Sequence, residues 1–244
     1  MNNQIVIARY NENLEWTKFL KTEAVIYNKG EDVETRHKTI KLPNIGMGGA
    51  TFWYHIIENY DNLADITLFI QGWPFDASFE SHLGLKSDEN GVNFIEEFYF
   101  TLLDEHVASY NCLMDIIGDK YSCPTNYNVR RQDNFIYNSV DWKLWIDNYI
   151  DPTSKIDFYK PNRFYKSGQI SLKKEIIKSN SKEYYIKLME HWKYKFPIAE
   201  WLVESTMSQM FNISNDGTYE DFRHDLVDVS NLDDYKKWMY EINE

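Results

Sequence analysis

Two stretches decide the fold: Ile5-Val-Ile-Ala-Arg-Tyr-Asn-Glu12, and Ala24-Val-Ile-Tyr-Asn-Lys-Gly30 a short way downstream. Ile5 to Ala8 is a β-branched run, and branching at Cβ restricts χ1 in a helix but packs well on a pleated surface. The run ends at the polar residues Arg9-Tyr-Asn-Glu12. Leu14, Trp16, Phe19 and Leu20 then recur at roughly helical spacing, and Asn11 or Asn13 is placed to cap that segment. Ala24 to Tyr27 predicts a second strand, closed by Asn28-Lys29-Gly30 with turn chemistry. Strand, helix and strand in that order need a crossover, so the two strands are expected to pair in parallel.

Working outward, residues 31–45 are charged and then Pro-bearing, which predicts a surface connection. A strong helix pattern follows Gly46-Met-Gly-Gly49. Phe52, Ile56, Ile57, Tyr60 and Leu63 share one face, and Thr51, His55, Glu58 or Asn59, and Asn62 follow the opposite side. Ile66 to Ile70 reads as a third strand that breaks at Gln71-Gly-Trp-Pro74. Strands alternating with helices predict an α/β fold with a mostly parallel central sheet flanked by helices, and ligands of such sheets sit beyond the carboxyl ends of the strands. The loops after Ala8, Tyr27 and Ile70 all fall there.

The rest of the chain is less regular. Residues 92–118 predict a helix burying Phe94, Phe98, Leu102, Leu103 and Val107. Segment 121–162 is rich in Asn, Asp, Tyr and Pro and is expected to be irregular, with a short helix at 142–146. Phe164 to Leu172 reads as a late strand interrupted at Ser167-Gly168-Gln169. Ser181 to Phe196 has the pattern of an aromatic amphipathic helix, Ile198 to Phe211 of another, and the acidic tail of a last one. Neither a repeat nor a low-complexity linker divides the chain, so residues 1–244 are expected to form a single α/β domain.

Composition narrows the function. With 43% hydrophobic and 26% charged residues in 244, the chain can bury one sizeable core. A net charge of −12 and a pI near 5.0 argue against a nucleic-acid partner, which needs clustered Lys and Arg beyond the lone Arg130-Arg131 pair. A nucleotide remains within reach, because a few main-chain N–H groups and one or two cations hold a diphosphate locally. Cys112 and Cys123 have no His-Cys array around them and are read as free thiols. The apolar run Ile5 to Ala8 is too short for a signal segment or a transmembrane span, so the expected compartment is the cytoplasm.

Val6-Ile-Ala-Arg-Tyr-Asn-Glu12, Ile26-Tyr-Asn-Lys-Gly30, Leu42-Pro-Asn44 with Gly48-Gly49, His55-Ile-Ile-Glu-Asn-Tyr60, and Phe69-Ile-Gln-Gly72 with Pro74-Phe-Asp76 occur in this order. Together they resemble the family catalogued only as domain of unknown function 3431. Ser167-Gly168-Gln169, Tyr184-Tyr185, and Glu204 with Phe211 extend the resemblance more loosely. The opening strand with Tyr-Asn-Glu also looks like the start of A-type-fold nucleotide-diphospho-sugar transferases, where the loop after the first strand and the end of the second hold the nucleotide. Arg9, Asn11, Glu12, Tyr27, Asn28 and Lys29 stand at the matching places. The resemblance thus implies a glycosyltransferase using a nucleotide-sugar donor and a glycan or other hydroxyl acceptor. Residues 1–80 would form the nucleotide-binding-like half and residues 81–244 the acceptor-side half. A non-catalytic carbohydrate- or nucleotide-binding module of the same fold is the alternative. A hydrolase using His55 and a carboxylate is a third reading.

Each candidate residue has a chemical reason and a plainer competitor. Asn11 and Glu12 suit the hydroxyls and amides of a nucleoside, or else cap a helix. Lys29 can pair with a diphosphate and Tyr27 can stack on a base; a turn lysine can equally face solvent. Gly46, Gly48 and Gly49 precede a helix, where free N–H groups and the dipole favour an anion, although their spacing is not that of a Walker motif. Thr51, His55 and Asn59 share one side of that helix, making His55 either a phosphate or hydroxyl donor or a structural hydrogen-bonder. In metal-dependent A-type transferases the region of Gln71 to Asp76 holds paired aspartates, and here the pair is missing. Asp76 alone can offer an oxygen to Mg²⁺ or Mn²⁺, or Gln71 and Gly72 can form a metal-free platform. Glu204 is the candidate catalytic base of an inverting transfer, with a surface charge as its competitor.

Overall fold

The computed structural model describes residues 2–76, 85–101, 107–109, 169–193 and 210–211. Its strands are β1 (Asn3–Arg9), β2 (Ala24–Asn28), β3 (Lys38–Lys41), β4 (Ile66–Gln71), β5 (Val107–Ser109) and β6 (Ile170–Lys173). Its helices are α1 (Met47–Asn59), α2 (Glu89–Thr101), the single turn α3 (Lys174–Ile177) and α4 (Lys182–Met189). The strands form one six-stranded sheet in the order β3-β2-β1-β4-β6-β5. As expected of an α/β chain, β1 pairs in parallel with both β2 and β4, and β2 with β3. β6 runs antiparallel to both β4 and β5.

Strands β1 and β4 are buried on both faces, which is why they read as continuous apolar runs rather than as an alternating pattern. On one face Val6, Val25, Phe69, Ile170 and Leu172 pack against Phe52, Trp53 and Ile56 of α1 and against Tyr185 and Leu188 of α4. On the other, Ile5, Ile7, Ile26, Leu68 and Ile70 pack against Leu14, Trp16 and Leu20 and against Val92, Ile95 and Tyr99 of α2. Each such side chain contributes roughly 1.5–3 kcal/mol by leaving water, so these two layers supply the main force holding the strand ends in place.

Several local expectations change. The segment with Trp16 is a 3-10 turn, Glu15–Phe19, not an α-helix: the Thr17 amide donates to the Leu14 carbonyl at 2.9 Å and the Leu20 amide to the Thr17 carbonyl at 3.2 Å, each three residues back. The expected connection at 31–45 contains strand β3, whose lysines are exposed and whose Ile40 is only half-buried; an edge strand of this kind shows no apolar alternation. The helix expected over 92–118 ends at Thr101, and Val107 enters β5, whose partner β6 lies far along the sequence and is invisible to local periodicity. The helix expected from Ser181 to Phe196 is α4 followed by a 3-10 turn at Glu190–Trp192, with Ser181 Oγ accepting from the Tyr184 amide at 3.1 Å as its cap. Segment 121–162, the acidic tail and most of the helix expected at Ile198 to Phe211 lie outside the described residues.

Helix α1 differs in a more consequential way. Both of its sides are buried, Thr51 and His55 included, so the polar side expected to face a ligand packs into the protein. The helix opens on two left-handed residues, Gly46 at φ 69° and Met47 at φ 47°. A Cβ on Gly46 would lie 2.3 Å from Ala50 Cβ and 2.6 Å from the Trp192 carbonyl oxygen, so only glycine lets the helix start this close to the α4 layer.

Candidate functional site

The chain order reverses between β1 and β4, the position at which open α/β sheets form a crevice at the carboxyl ends of their strands. Register places Ala8 beside both Tyr27 and Gln71, so the loops that follow β1, β2 and β4 emerge together.

The loops after β1 and β2 are laced to each other. Arg9 donates from Nε to the Glu12 carbonyl at 3.0 Å, and from Nη1 to Asn28 Oδ1 and to the Glu31 carbonyl, each at 2.7 Å. Asn28 also accepts from the Gly30 amide at 3.1 Å and donates to the Glu31 carbonyl at 2.8 Å, which spends its amide inside the turn. Asn11 Oδ1 accepts from the Glu31 amide at 2.8 Å, and the Lys29 amide donates to the Arg9 carbonyl at 2.8 Å. Gly30 lies so near the β1 loop that a Cβ there would sit 1.6 Å from the Tyr10 carbonyl oxygen. The Lys29 ammonium bonds the carbonyls of Ile45, at 2.8 Å, and Met47, tying this loop to the start of α1 and to the first-turn residues Gly48 and Gly49.

On the other side of β1, the Glu12 carboxylate accepts from the Tyr10 amide at 2.7 Å and lies across Gly72. A Cβ on Gly72 would come within 2.5 Å of Glu12 Oε2. Trp16 Nε1 donates to the Gly72 carbonyl at 3.0 Å from its buried place in the 3-10 turn. Gln71 ends β4 with its side chain exposed beside this contact. Gly72→Ala is expected to push the Glu12 carboxylate off its seat with little loss of stability, since a flexible carboxylate yields more readily than backbone. A ligand held by Glu12 should then bind about tenfold more weakly, a change of about 1.4 kcal/mol, measurable by calorimetric titration of whichever donor binds the wild type.

Beneath these loops is a buried polar group. The Tyr27 hydroxyl lies 3.0 Å from His55 Nδ1, and the Asn59 amide donates to the His55 carbonyl at 2.8 Å. The Tyr27 ring meets Tyr54 and His55 edge to face, so the strand-end tyrosine faces the interior instead of presenting a stacking surface for a base. Burial pushes its hydroxyl up to about 12. Burial, helped by the charge of Lys38, pushes His55 down to about 4, so its imidazole is neutral at pH 7. The Asn59 amide also lies 3.4 Å from His55 Nδ1, so the tyrosine hydroxyl and this amide both border the same ring nitrogen. His55 Nε2 and Thr51 Oγ1 are sealed from water without a hydrogen-bond partner among the described residues.

Arg9, Asn11, Glu12, Asn28, Lys29, Gln71 and Gly72 therefore gather at the strand ends, with Gly48 and Gly49 joined to them through Lys29. Thr51, His55 and Asn59 belong to the interior layer below. Asp76 ends the 3-10 turn Pro74–Asp76, and its side chain and all of Glu204 lie outside the described structure. Among the described residues no three His, Cys, Asp or Glu side chains gather into a metal-binding group. Sequence reasoning missed Trp16 as the support of Gly72, a tertiary contact that leaves no local signature. It also read Gly30 only as a turn residue, although glycine at the end of a polar strand-loop motif can signal close backbone approach.

The fold and the strand-end loops define the class: an α/β protein with a mostly parallel sheet covered on both faces and polar loops gathered at the β1/β4 reversal. The family described as "Protein of unknown function (DUF3431)" matches residues 5–225, and the chain belongs to that family. No curated protein and no solved structure matches it. Among the described residues no helix is long and apolar enough to cross a membrane.

Proposed function

We propose that this chain is a glycosyltransferase-like cytoplasmic enzyme that moves a sugar from a nucleotide-sugar donor to a glycan or other hydroxyl acceptor, with no nucleic-acid partner. The observation that supports it most is the meeting of Glu12 and Gly72 at the β1/β4 reversal, where sheets of this kind hold nucleotides. Glu12 engages one carboxylate oxygen internally, which leaves Oε1 to accept from ribose hydroxyls. Asn11 engages its oxygen, which leaves its amide N–H groups to donate. Lys29 stands at the positive end of the α1 dipole, and a diphosphate placed there would take over its bonds to the Ile45 and Met47 carbonyls. Gln71 and Gly72 would line the donor side of the site. Glu204 is assigned as the base that takes the proton of the acceptor hydroxyl as its oxygen attacks the anomeric carbon and the nucleoside diphosphate departs.

A panel of nucleotide sugars with and without Mn²⁺, read by thermal shift and then by release of nucleoside diphosphate, tests this reading. At least one donor should stabilise the protein and be consumed when an acceptor is supplied. Metal-stimulated turnover that is lost, or that needs more Mn²⁺ or Mg²⁺, in Asp76→Asn would support Asp76 as an oxygen ligand. Failure of every donor to bind overturns the proposal, and binding without turnover identifies the non-catalytic binding module instead.

A further inference from the structure

We propose that Arg9 is the anion receptor of the strand-end site and that it takes a phosphoryl oxyanion of the ligand; this rests on reading the β1/β4 reversal as a nucleotide site. A guanidinium keeps its charge under all ordinary conditions, and a buried charge calls for a countercharge as well as hydrogen bonds. Arg9 is 7% exposed. Its hydrogen bonds go to two backbone carbonyls and one side-chain amide, all neutral acceptors. No carboxylate among the described residues forms an ion pair with it. Glu12, on its own loop, turns instead to the Tyr10 amide and Gly72.

The geometry of the fork singles out one nitrogen. Nε and Nη1 are spent on the loops, while Nη2 has no hydrogen-bond partner among the described residues and yet is not among the atoms sealed from water. Arg9 is thus clamped on one side and open on the other, at the last position of β1. The loop carboxylate of Glu12 accepts from hydroxyls, so a ligand that satisfies both residues carries an oxyanion and hydroxyls on neighbouring parts. Sugar phosphates and nucleotides have that chemistry. Asn28 and Glu31 then act as positioning groups, holding the guanidinium plane while Nη2 receives the ligand.

Arg9→Lys separates the two roles, because an ammonium that reaches Asn28 Oδ1 and the Glu31 carbonyl cannot also extend to the place of Nη2. Inorganic pyrophosphate is the probe, titrated calorimetrically at constant ionic strength with acetate as the comparison anion. The wild type should bind pyrophosphate saturably, and Arg9→Lys should bind it at least tenfold more weakly while melting within a few degrees of the wild type. If Arg9→Lys does not fold, Arg9→Gln, whose amide still donates to the loop acceptors, should show the same loss. No pyrophosphate binding by the wild type, unchanged affinity in the folded variant, or acetate competing as well as pyrophosphate each overturns the assignment. Pyrophosphate binding that depends on Arg9, with no nucleotide sugar consumed, leaves Arg9 as the receptor and removes the transferase reading.

Discussion

Gly30→Ala should destabilise the protein by about 3 kcal/mol or more and abolish ligand binding at the strand ends. The cost is one of space, since left-handed φ at a glycine occurs among the described residues only at Gly46. A Cβ on Gly30 would stand 1.6 Å from the Tyr10 carbonyl oxygen, 2.5 Å from the Tyr10 carbonyl carbon and 2.2 Å from Asn11 Oδ1. Two of these are backbone atoms of the β1 loop, which is held by Arg9 and by the Lys29 amide and cannot retreat without breaking both. For a chain of this size such a loss corresponds to a melting point lower by roughly 6–12 °C. Gly91→Ala is the control: its Cβ would lie 2.0 Å from the Lys86 carbonyl oxygen, and the Gly91 amide bonds Asp88 of its own segment and not the loops after β1 and β2. Urea unfolding should show that both variants are weakened, and titration of the donor or of pyrophosphate should show binding lost in Gly30→Ala alone. Retention of binding in Gly30→Ala would mean that the interlaced loops do not form the site.

His55 should make the protein sensitive to acid as the pH falls below 6.5. Its folded value near 4 lies below the ordinary 6.5, chiefly because burial penalises the charged ring and secondarily because of Lys38. The unfolded chain therefore takes up a proton that the folded chain refuses between these values. The associated stability is fully present above pH 6.5, falls as the pH drops towards 4 and is then exhausted, to a total of about 3 kcal/mol. Carboxylates titrate in part of the same window, so the quantity to measure is the difference between the wild type and His55→Gln in urea unfolding at pH 7.0, 5.5 and 4.5. The variant should be the less stable at pH 7, where it loses the Tyr27 contact and its packing on Phe69, and the gap should narrow steadily on acidification. A gap that stays constant with pH would show that His55 is not held neutral by burial. Tyr27 works in the opposite sense: with its hydroxyl raised to about 12, stability is intact below pH 10 and declines as the pH rises through 10 towards 12.

The two residues most promising as ligand contacts on helical spacing, Thr51 and His55, illustrate where local reasoning stops. Spacing placed them correctly on one side of α1. It could not say that this side would be covered, because the cover consists of β2 and β4 residues, Tyr27 and Phe69, brought in by the sheet. Arg9 and Asn28 show the reverse. Their polarity at strand ends was visible, but a side chain that builds a loop and one that grips a ligand look identical until each hydrogen bond is assigned. Asn28 spends its amide wholly on the loop, whereas Arg9 keeps one nitrogen open.

β1, β2 and β4, the start of the α1 pattern, the parallel pairing and the family resemblance all follow from short-range features: β-branched runs, turn residues and the order of motifs. These survive because each depends on a few neighbouring side chains and on the steric limits of a crossover. β3, β5 and the antiparallel pairing of β6 became evident only in three dimensions, since an edge strand or a three-residue strand is held by partners elsewhere in the chain. The seating of Glu12 on Gly72 and the clamping of Arg9 are of the same kind. They join residues from loops that are distant in sequence and adjacent at the strand ends, and only packing of the two apolar layers against the sheet brings those loops together.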